Sequence, residues 1–180
     1  HATSNLDVNI PDPQGRNIVL YFYPKGSIIQ AMNKVQSITC HATSNLDVNI
    51  PDPQGRNIVL YFYPKDSTPG CTTEGQDFRD NHQAFVDANT VIYGVSRDKM
   101  KSHENFKAKQ DFPFELISDP EEILCNAFNV IQLKKLYGKE YMGIVRSTFL
   151  IDGEGNILEH WDKVKVKGHV EEVLQKVNTL

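Results

Sequence analysis

The chain has 180 residues, 39% of them hydrophobic and 23% charged, with a formal net charge of −4, which suits one soluble globular domain with a single core. The mild acidity gives no footprint for nucleic acid or an anionic membrane, and no apolar run approaches the roughly 18 residues that span a bilayer. No charged-then-apolar leader opens the sequence, and three cysteines (Cys40, Cys71, Cys125) are too few, and odd in number, for a disulfide scaffold; a reducing, cytoplasmic setting is expected.

The first feature along the chain is a duplication. His1 to Lys25 recurs letter for letter as His41 to Lys65, and Ser27 matches Ser67. Stacking repeats normally diverge and come in about three or more copies, so two identical copies read as a recent duplication or an artificial addition. Gly26-Ser27 and Ala31-Met32 resemble cloning joints around a tag. Residues 1–31 are therefore expected to lie outside the natural domain, and residues 32–180 to form a single domain. The first copy lacks the threonine and cysteine that come after Pro64-Lys65 in the second, so it is no second active site. Its strand Ile18 to Tyr23 equals Ile58 to Tyr63, and is expected either to be disordered or to displace its twin, opening a route to swapped dimers.

Met32 to Ile50 reads as an N-terminal hairpin or extended lead-in. Apolar runs bounded by turn residues predict strands at about Arg56–Tyr63, Thr90–Ser96, Phe114–Ile117, Arg146–Ile151 and Ile157–Val164. Asp152-Gly153-Glu154-Gly155-Asn156 predicts a hairpin turn between the last two. Helical patterns fall at about Cys71–Asn89, Lys99–Gln110, Pro120–Phe128 and Gly168–Val177, with Asp98 and Asp119 as N-caps of the second and third. Strands alternating with helices, then a closing hairpin and helix, predict an α/β sandwich.

The chemistry concentrates where the strand ending at Tyr63 meets Pro64-Lys65-Asp66-Ser67-Thr68-Pro69-Gly70-Cys71. A tight Pro-Gly turn places a cysteine at a helix N-terminus, beside unpaired backbone N–H groups and the positive end of the dipole. Such surroundings favour the thiolate, the form that attacks. The six histidines (His1, His41, His82, His103, His160, His169) show no metal-ligand spacing, and no Cys-x-x-Cys occurs, so no metal or other cofactor is expected.

At these residues the chain resembles the peroxiredoxins. Pro64, Thr68 and Cys71 meet the pattern Pro-x-x-x-Thr-x-x-Cys, and the flanking Tyr-Phe-Tyr-Pro-Lys-Asp-Ser-Thr-Pro-Gly-Cys-Thr-Thr-Glu is similar to the bacterioferritin comigratory protein, or peroxiredoxin Q, subfamily. Further matching blocks stand at Gly94 to Asp98, Leu116 to Asp119 and Gly143 to Asp152. The resemblance implies a thioredoxin-like fold and an antioxidant enzyme of cell redox homeostasis, reducing hydrogen peroxide and organic hydroperoxides through a cysteine sulfenic acid. Cys71 would be the nucleophile. Thr68 would hydrogen-bond the peroxide and thiolate, and Pro64 would shield the sulfur. Arg146 would hold the thiolate ionised, and Glu74, one helical turn on, would orient Arg146 or complement the dipole.

The resolving thiol is where this chain departs from the resemblance. One version of the subfamily places it five residues after the first, which is Gln76 here. Another places it in a His-x-x-Phe-Cys pattern, which reads His103-Glu104-Asn105-Phe106-Lys107 with lysine at the cysteine position. Cys125, on a short amphipathic segment, reads first as a buried structural thiol and second as a resolving one. Cys40 stands just before the sheet. The expectation is a one-cysteine cycle with thioredoxin, glutaredoxin or glutathione as reductant, no nucleic-acid or membrane partner, and a monomer in the natural form. Competing readings are a disulfide oxidoreductase, for which Cys71-Thr72-Thr73-Glu74 lacks the second cysteine, and a holdase or scaffold domain.

Overall fold

In the computed structural model, residues 33–180 are described throughout; before them the backbone is described at Leu6–Pro11 (β1), Asn17–Phe22 (β2) and Ile29–Gln30 (β3). Gly26-Ser27 and Ala31-Met32 lie outside the described residues. The next strands are Lys34–Val35 (β4), Ile38–Ala42 (β5), Leu46–Ile50 (β6) and Asn57–Phe62 (β7). Then come helices Pro69–Asp80 (α1) and His82–Asp87 (α2), strand Thr90–Ser96 (β8), helix Met100–Gln110 (α3), strand Glu115–Ser118 (β9) and helix Ile123–Ala127 (α4). Strands Ile131–Leu136 (β10), Lys139–Ile144 (β11), Ser147–Ile151 (β12) and Ile157–Trp161 (β13) precede the last helix, His169–Val177 (α5).

A seven-stranded mixed sheet in the order β13-β12-β7-β8-β9-β5-β6 organises the molecule. β7, β8 and β9 run parallel, while β12, β13, β5 and β6 are joined by antiparallel pairings. Helices cover both faces, which is why β7 reads as an unbroken apolar run rather than an alternation. Its odd and even residues split between two cores. Ile58, Leu60 and Phe62 join Cys40, Cys125, Phe128 and Phe149 on one face. Val59, Tyr61 and Tyr63 join Cys71, Phe78, Phe85, Phe106 and the α5 valines on the other. In α5 the buried Val170, Val173 and Val177 make an apolar stripe at helical spacing, with Glu171 and Glu172 turned to solvent.

Within the chain the duplicate does not displace its twin. β1 pairs with β2 in a local antiparallel hairpin, Leu6 opposite Phe22. The same two segments in the second copy, β6 and β7, lie at the edge and centre of the sheet and do not pair with each other. Pairing is set by context more than by strand sequence, and β7 has β8 and β12 as neighbours.

Several predicted boundaries move for local reasons. The single helix predicted over Cys71–Asn89 is two helices, broken where the Asn81 side-chain amide donates to Asp77 O at 2.8 Å and competes with the backbone ladder. Asp98 is not the N-cap of α3: that position is Lys99, and the Asp98 carboxylate instead accepts from Ser96 Oγ and from Asp66 N. Asp119 is not the N-cap of α4 either: that position is Glu122, and the Asp119 carboxylate reaches in from upstream to accept the amides of Leu124 and Cys125 at 3.1 and 2.7 Å. α4 starts late because Glu122 is left-handed at φ 61°. The hairpin of β10 and β11 is absent from the expected elements; its turn, Tyr137-Gly138, holds φ 49° and 76°, the two positive values of a tight type I′ connection.

Gly75 makes α1 fit. A Cβ there would overlap the Phe112 ring, which stacks on Phe114 at 5.0 Å. Gly75→Ala should therefore lower stability by about 1–3 kcal/mol through overpacking, against a helix-propensity gain of about 1 kcal/mol. Denaturant midpoints at unchanged slope measure the net effect, and a raised midpoint would refute the packing argument.

Candidate active site

β7 ends where Tyr63 N donates to Val95 O at 3.0 Å, and Pro64 then stops the pairing. The chain turns through Ser67, at φ 62°, into α1, with Thr68 as N-cap and Pro69 in the first turn. Cys71 is thus the third residue of α1, and the amides of Gly70 and Cys71 have no partner within the helix. The thiol is buried at 2% exposure and free.

Arg146 reaches it from the far end of the sequence. β12 runs antiparallel to β7 with Ser147 opposite Phe62, so the residue before β12 emerges where β7 delivers its loop. Arg146 Nη2 lies 3.5 Å from Cys71 Sγ, and Nη1 donates to Glu74 Oε1 at 2.8 Å. The guanidinium passes close over Gly70, where a Cβ would sit 3.2 Å from Nη2. Glu74 is fully buried, and its other oxygen, Oε2, has no partner among the described residues. Burial pushes the Glu74 carboxyl up to about 7, which Arg146 only partly offsets. Tyr61 joins the same core with its hydroxyl unpaired among the described residues.

Of the expected site residues, the structure brings together Cys71, Arg146, Glu74 and, at the N-cap, Thr68. The Thr68 hydroxyl donates to Lys65 O at 2.8 Å, so toward a peroxide O–H its oxygen acts as acceptor. Pro64 lies at the strand end. The structure does not bring Cys125 or Cys40 to Cys71, since both sit in the core on the opposite face of the sheet. Burial pushes the Cys40 thiol up to about 12, and pushes Cys125 up further still, in each case with Asp119 adding to the effect. Lys107 Nζ donates to Glu115 Oε1 and to Ser44 Oγ, both at 2.8 Å, and Gln76 Nε2 donates to Gln110 Oε1 at 2.9 Å. Sequence reasoning missed a buried network on Asp66, whose carboxylate meets Tyr63, Ser102 and His103. The signal was present as an aspartate inside the loop motif and a histidine four residues before Lys107.

Beside Arg146, the buried His169 has Nε2 2.8 Å from Thr148 Oγ1. Burial, with Arg146 adding, pulls it down from 6.5 to about 4. A histidine depressed in the folded state costs stability as pH falls, because the unfolded chain takes the proton first. Glu74, raised from 4.5 to about 7, has the opposite sign: its contribution is fully present below 4.5 and lost as pH rises through 7. Melting temperature in His169→Gln should therefore fall less than in the parent between pH 6.5 and 4. Parallel melting curves across that window would refute the role of His169.

The AhpC/TSA family matches residues 31–160. Peroxiredoxin Bcp of Bacillus subtilis (strain 168) is 56% identical over 173 residues, 96% of this chain and 85% of that protein. Among solved structures, the Xanthomonas campestris bacterioferritin comigratory protein, studied for alkyl peroxide reduction, is 48% identical, with a TM-score of 0.75 over 79% of this chain and 90% of that one. A cysteine variant of PrxQ from Xylella fastidiosa is 42% identical, with a TM-score of 0.78 over 86% of this chain and 98% of that one. The thioredoxin-like sheet, the buried cysteine under an arginine and these relatives agree: the chain belongs to the AhpC/TSA family and is a peroxiredoxin of the Bcp and Q kind, a thiol peroxidase.

Proposed function

We propose that Cys71 is the peroxidatic nucleophile of a one-cysteine cycle, and that residues 32–180 are the domain that carries it. The observation that supports this most is the guanidinium of Arg146 held between Glu74 and the Cys71 sulfur. The thiolate attacks one oxygen of the hydroperoxide, the O–O bond breaks, and the departing alkoxide or hydroxide takes a proton to leave as alcohol or water. Cys71 becomes the sulfenic acid. An external thiol then attacks the sulfenic sulfur and water leaves; a second thiol releases Cys71 from the mixed disulfide. Arg146 stabilises the thiolate and the charge that develops as the O–O bond breaks. Thr68 accepts the proton side of the peroxide, and Pro64 shapes the entry. Hydrogen peroxide and alkyl hydroperoxides are the substrates, with thioredoxin, glutaredoxin or glutathione as reductant.

The two positions where the resemblance puts a resolving thiol favour the one-cysteine route. Gln76 and Lys107 both stitch α3 to its neighbours, so each has a packing role of its own. Among the described residues no helix is long and apolar enough to cross a membrane; a cytoplasmic monomer is the setting we propose. Intact mass and peptide mapping after one equivalent of peroxide, with a sulfenate trap present, test the scheme. An adduct on Cys71 is expected. A disulfide from Cys71 to Cys40 or Cys125 would overturn the one-cysteine cycle, and an unmodified Cys71 would overturn the nucleophile.

A further inference from the structure

The loop that delivers Cys71 is fastened by a buried hydrogen-bonded pair outside the reacting atoms. Asp66, two residues before Thr68, accepts from the Tyr63 hydroxyl at 2.6 Å on Oδ1 and from Ser102 Oγ at 2.9 Å on Oδ2. His103 Nδ1 lies 2.7 Å from the same Oδ2, and its Nε2 lies 2.9 Å from Ile117 O. The side chains of His103 and Asp66 are 0% and 2% exposed. The Asp66 amide donates to Asp98 Oδ2 at 2.9 Å, and Asp98 in turn accepts from Ser96.

The partners orient the ring. A backbone carbonyl only accepts, so Nε2 carries a proton toward Ile117 O. A second proton lies in the bond between Nδ1 and Asp66 Oδ2, 2.7 Å apart. The ligand atoms of Asp66, Asp98 and His103 come within 4.8 Å of one another, the spacing a cation would need, but bonds among themselves already occupy them.

We propose that His103 is a positioning residue for the peroxidatic loop. It holds Asp66 to α3, and through Asp66 it fixes the Thr68 N-cap and the Cys71 sulfur against Arg146. Removing either partner leaves the other's buried polar atoms without their hydrogen bond and frees the loop. Cys71 then keeps its place at the start of α1 but loses its aligned attack on peroxide. The geometry of attack is the quantity at stake, and small misplacements there cost large factors in rate.

The proposal rests on Cys71 as nucleophile. Its test compares the parent with Asp66→Asn, His103→Gln and the double variant, measuring two rates per folded molecule: Cys71 oxidation by hydrogen peroxide and Cys71 alkylation by iodoacetamide. Each single variant should lose fivefold or more in the first rate and keep or raise the second, and the double should lose no more than the worse single. A smaller loss in a folded variant, or losses that simply multiply, would overturn the clamp. A parent unreactive to peroxide would instead strike at the nucleophile assignment. The ring-nitrogen NMR of His103 in the unaltered protein at pH 7.5 decides the matter if the variants fail to fold. Slowly exchanging protons in the Nδ1–Asp66 bond and on Nε2 are expected, and ring protons that exchange freely with solvent would overturn the proposal.

Discussion

Cys71→Ser should leave no catalytic consumption of peroxide, while Cys40→Ala and Cys125→Ala each keep at least half of it. All three thiols are buried and free, so burial alone does not separate them. Their surroundings do. Cys71 has a guanidinium nitrogen 3.5 Å from its sulfur and sits in the first turn of α1. Cys40 and Cys125 lie near the carboxylate of Asp119, and burial raises both, Cys40 to about 12. A thiol with that value is protonated at neutral pH and does not attack. Coupled turnover with a thiol reductant measures the effect. Turnover surviving in Cys71→Ser would move the chemistry to another residue, and its loss in Cys125→Ala with the fold intact would make Cys125 a working part of the cycle.

The strands were legible because burial on both faces leaves a plain mark. Ile58 to Phe62 and Thr90 to Ser96 are apolar runs ended by turn residues, and they became β7 and β8 within a residue of the expected bounds. The nucleophile was legible for the same reason, since its loop continues directly from β7. Arg146 was not legible from local pattern. It meets Cys71 across 75 positions, and only the antiparallel register of β12 against β7 explains the meeting; in the sequence it came from resemblance. Asp66 and His103 meet across 37 positions, and neither shows in hydrophobic periodicity because each is a polar residue inside a core. The β10–β11 hairpin was missed because Lys134, Lys135, Lys139 and Glu140 mask its alternation and an aromatic, Tyr137, occupies a left-handed turn position.

The duplicated segment separates local propensity from long-range placement. Asn17–Phe22 and Asn57–Phe62 are the same six residues. One pairs with the strand just before it, and the other becomes the centre of the sheet. The difference lies in the downstream chain: only the second copy leads into Asp66, Thr68 and Cys71, and so into α1 and β8. Local propensity makes both copies strands, and long-range partners choose their place.

Arg146→Gln should slow peroxide reduction by about a hundredfold to a thousandfold, the usual consequence of removing one positioned donor from a developing anion. It should also destabilise the fold, by about 3–5 kcal/mol where Glu74 is ionised, because a buried carboxylate is left without its partner. Glu74 lies at about 7 even with Arg146 present. The stability loss should therefore be large at pH 8.5 and shrink at pH 5.5, where Glu74 takes a proton and no charge is stranded. The double variant Glu74→Gln/Arg146→Gln separates the two effects. It replaces a buried ion pair by two neutral amides, so no charge is stranded and its denaturant midpoint at pH 8.5 should recover most of the loss. Its rate should not recover, because the sulfur still lacks the cation that was 3.5 Å away. Stopped-flow oxidation and denaturation at the two pH values give all four numbers. A double variant that regains the rate along with the stability would show that Arg146 serves only to satisfy Glu74. One that regains stability alone would place the guanidinium in the chemistry, with Glu74 as the residue that keeps it aimed.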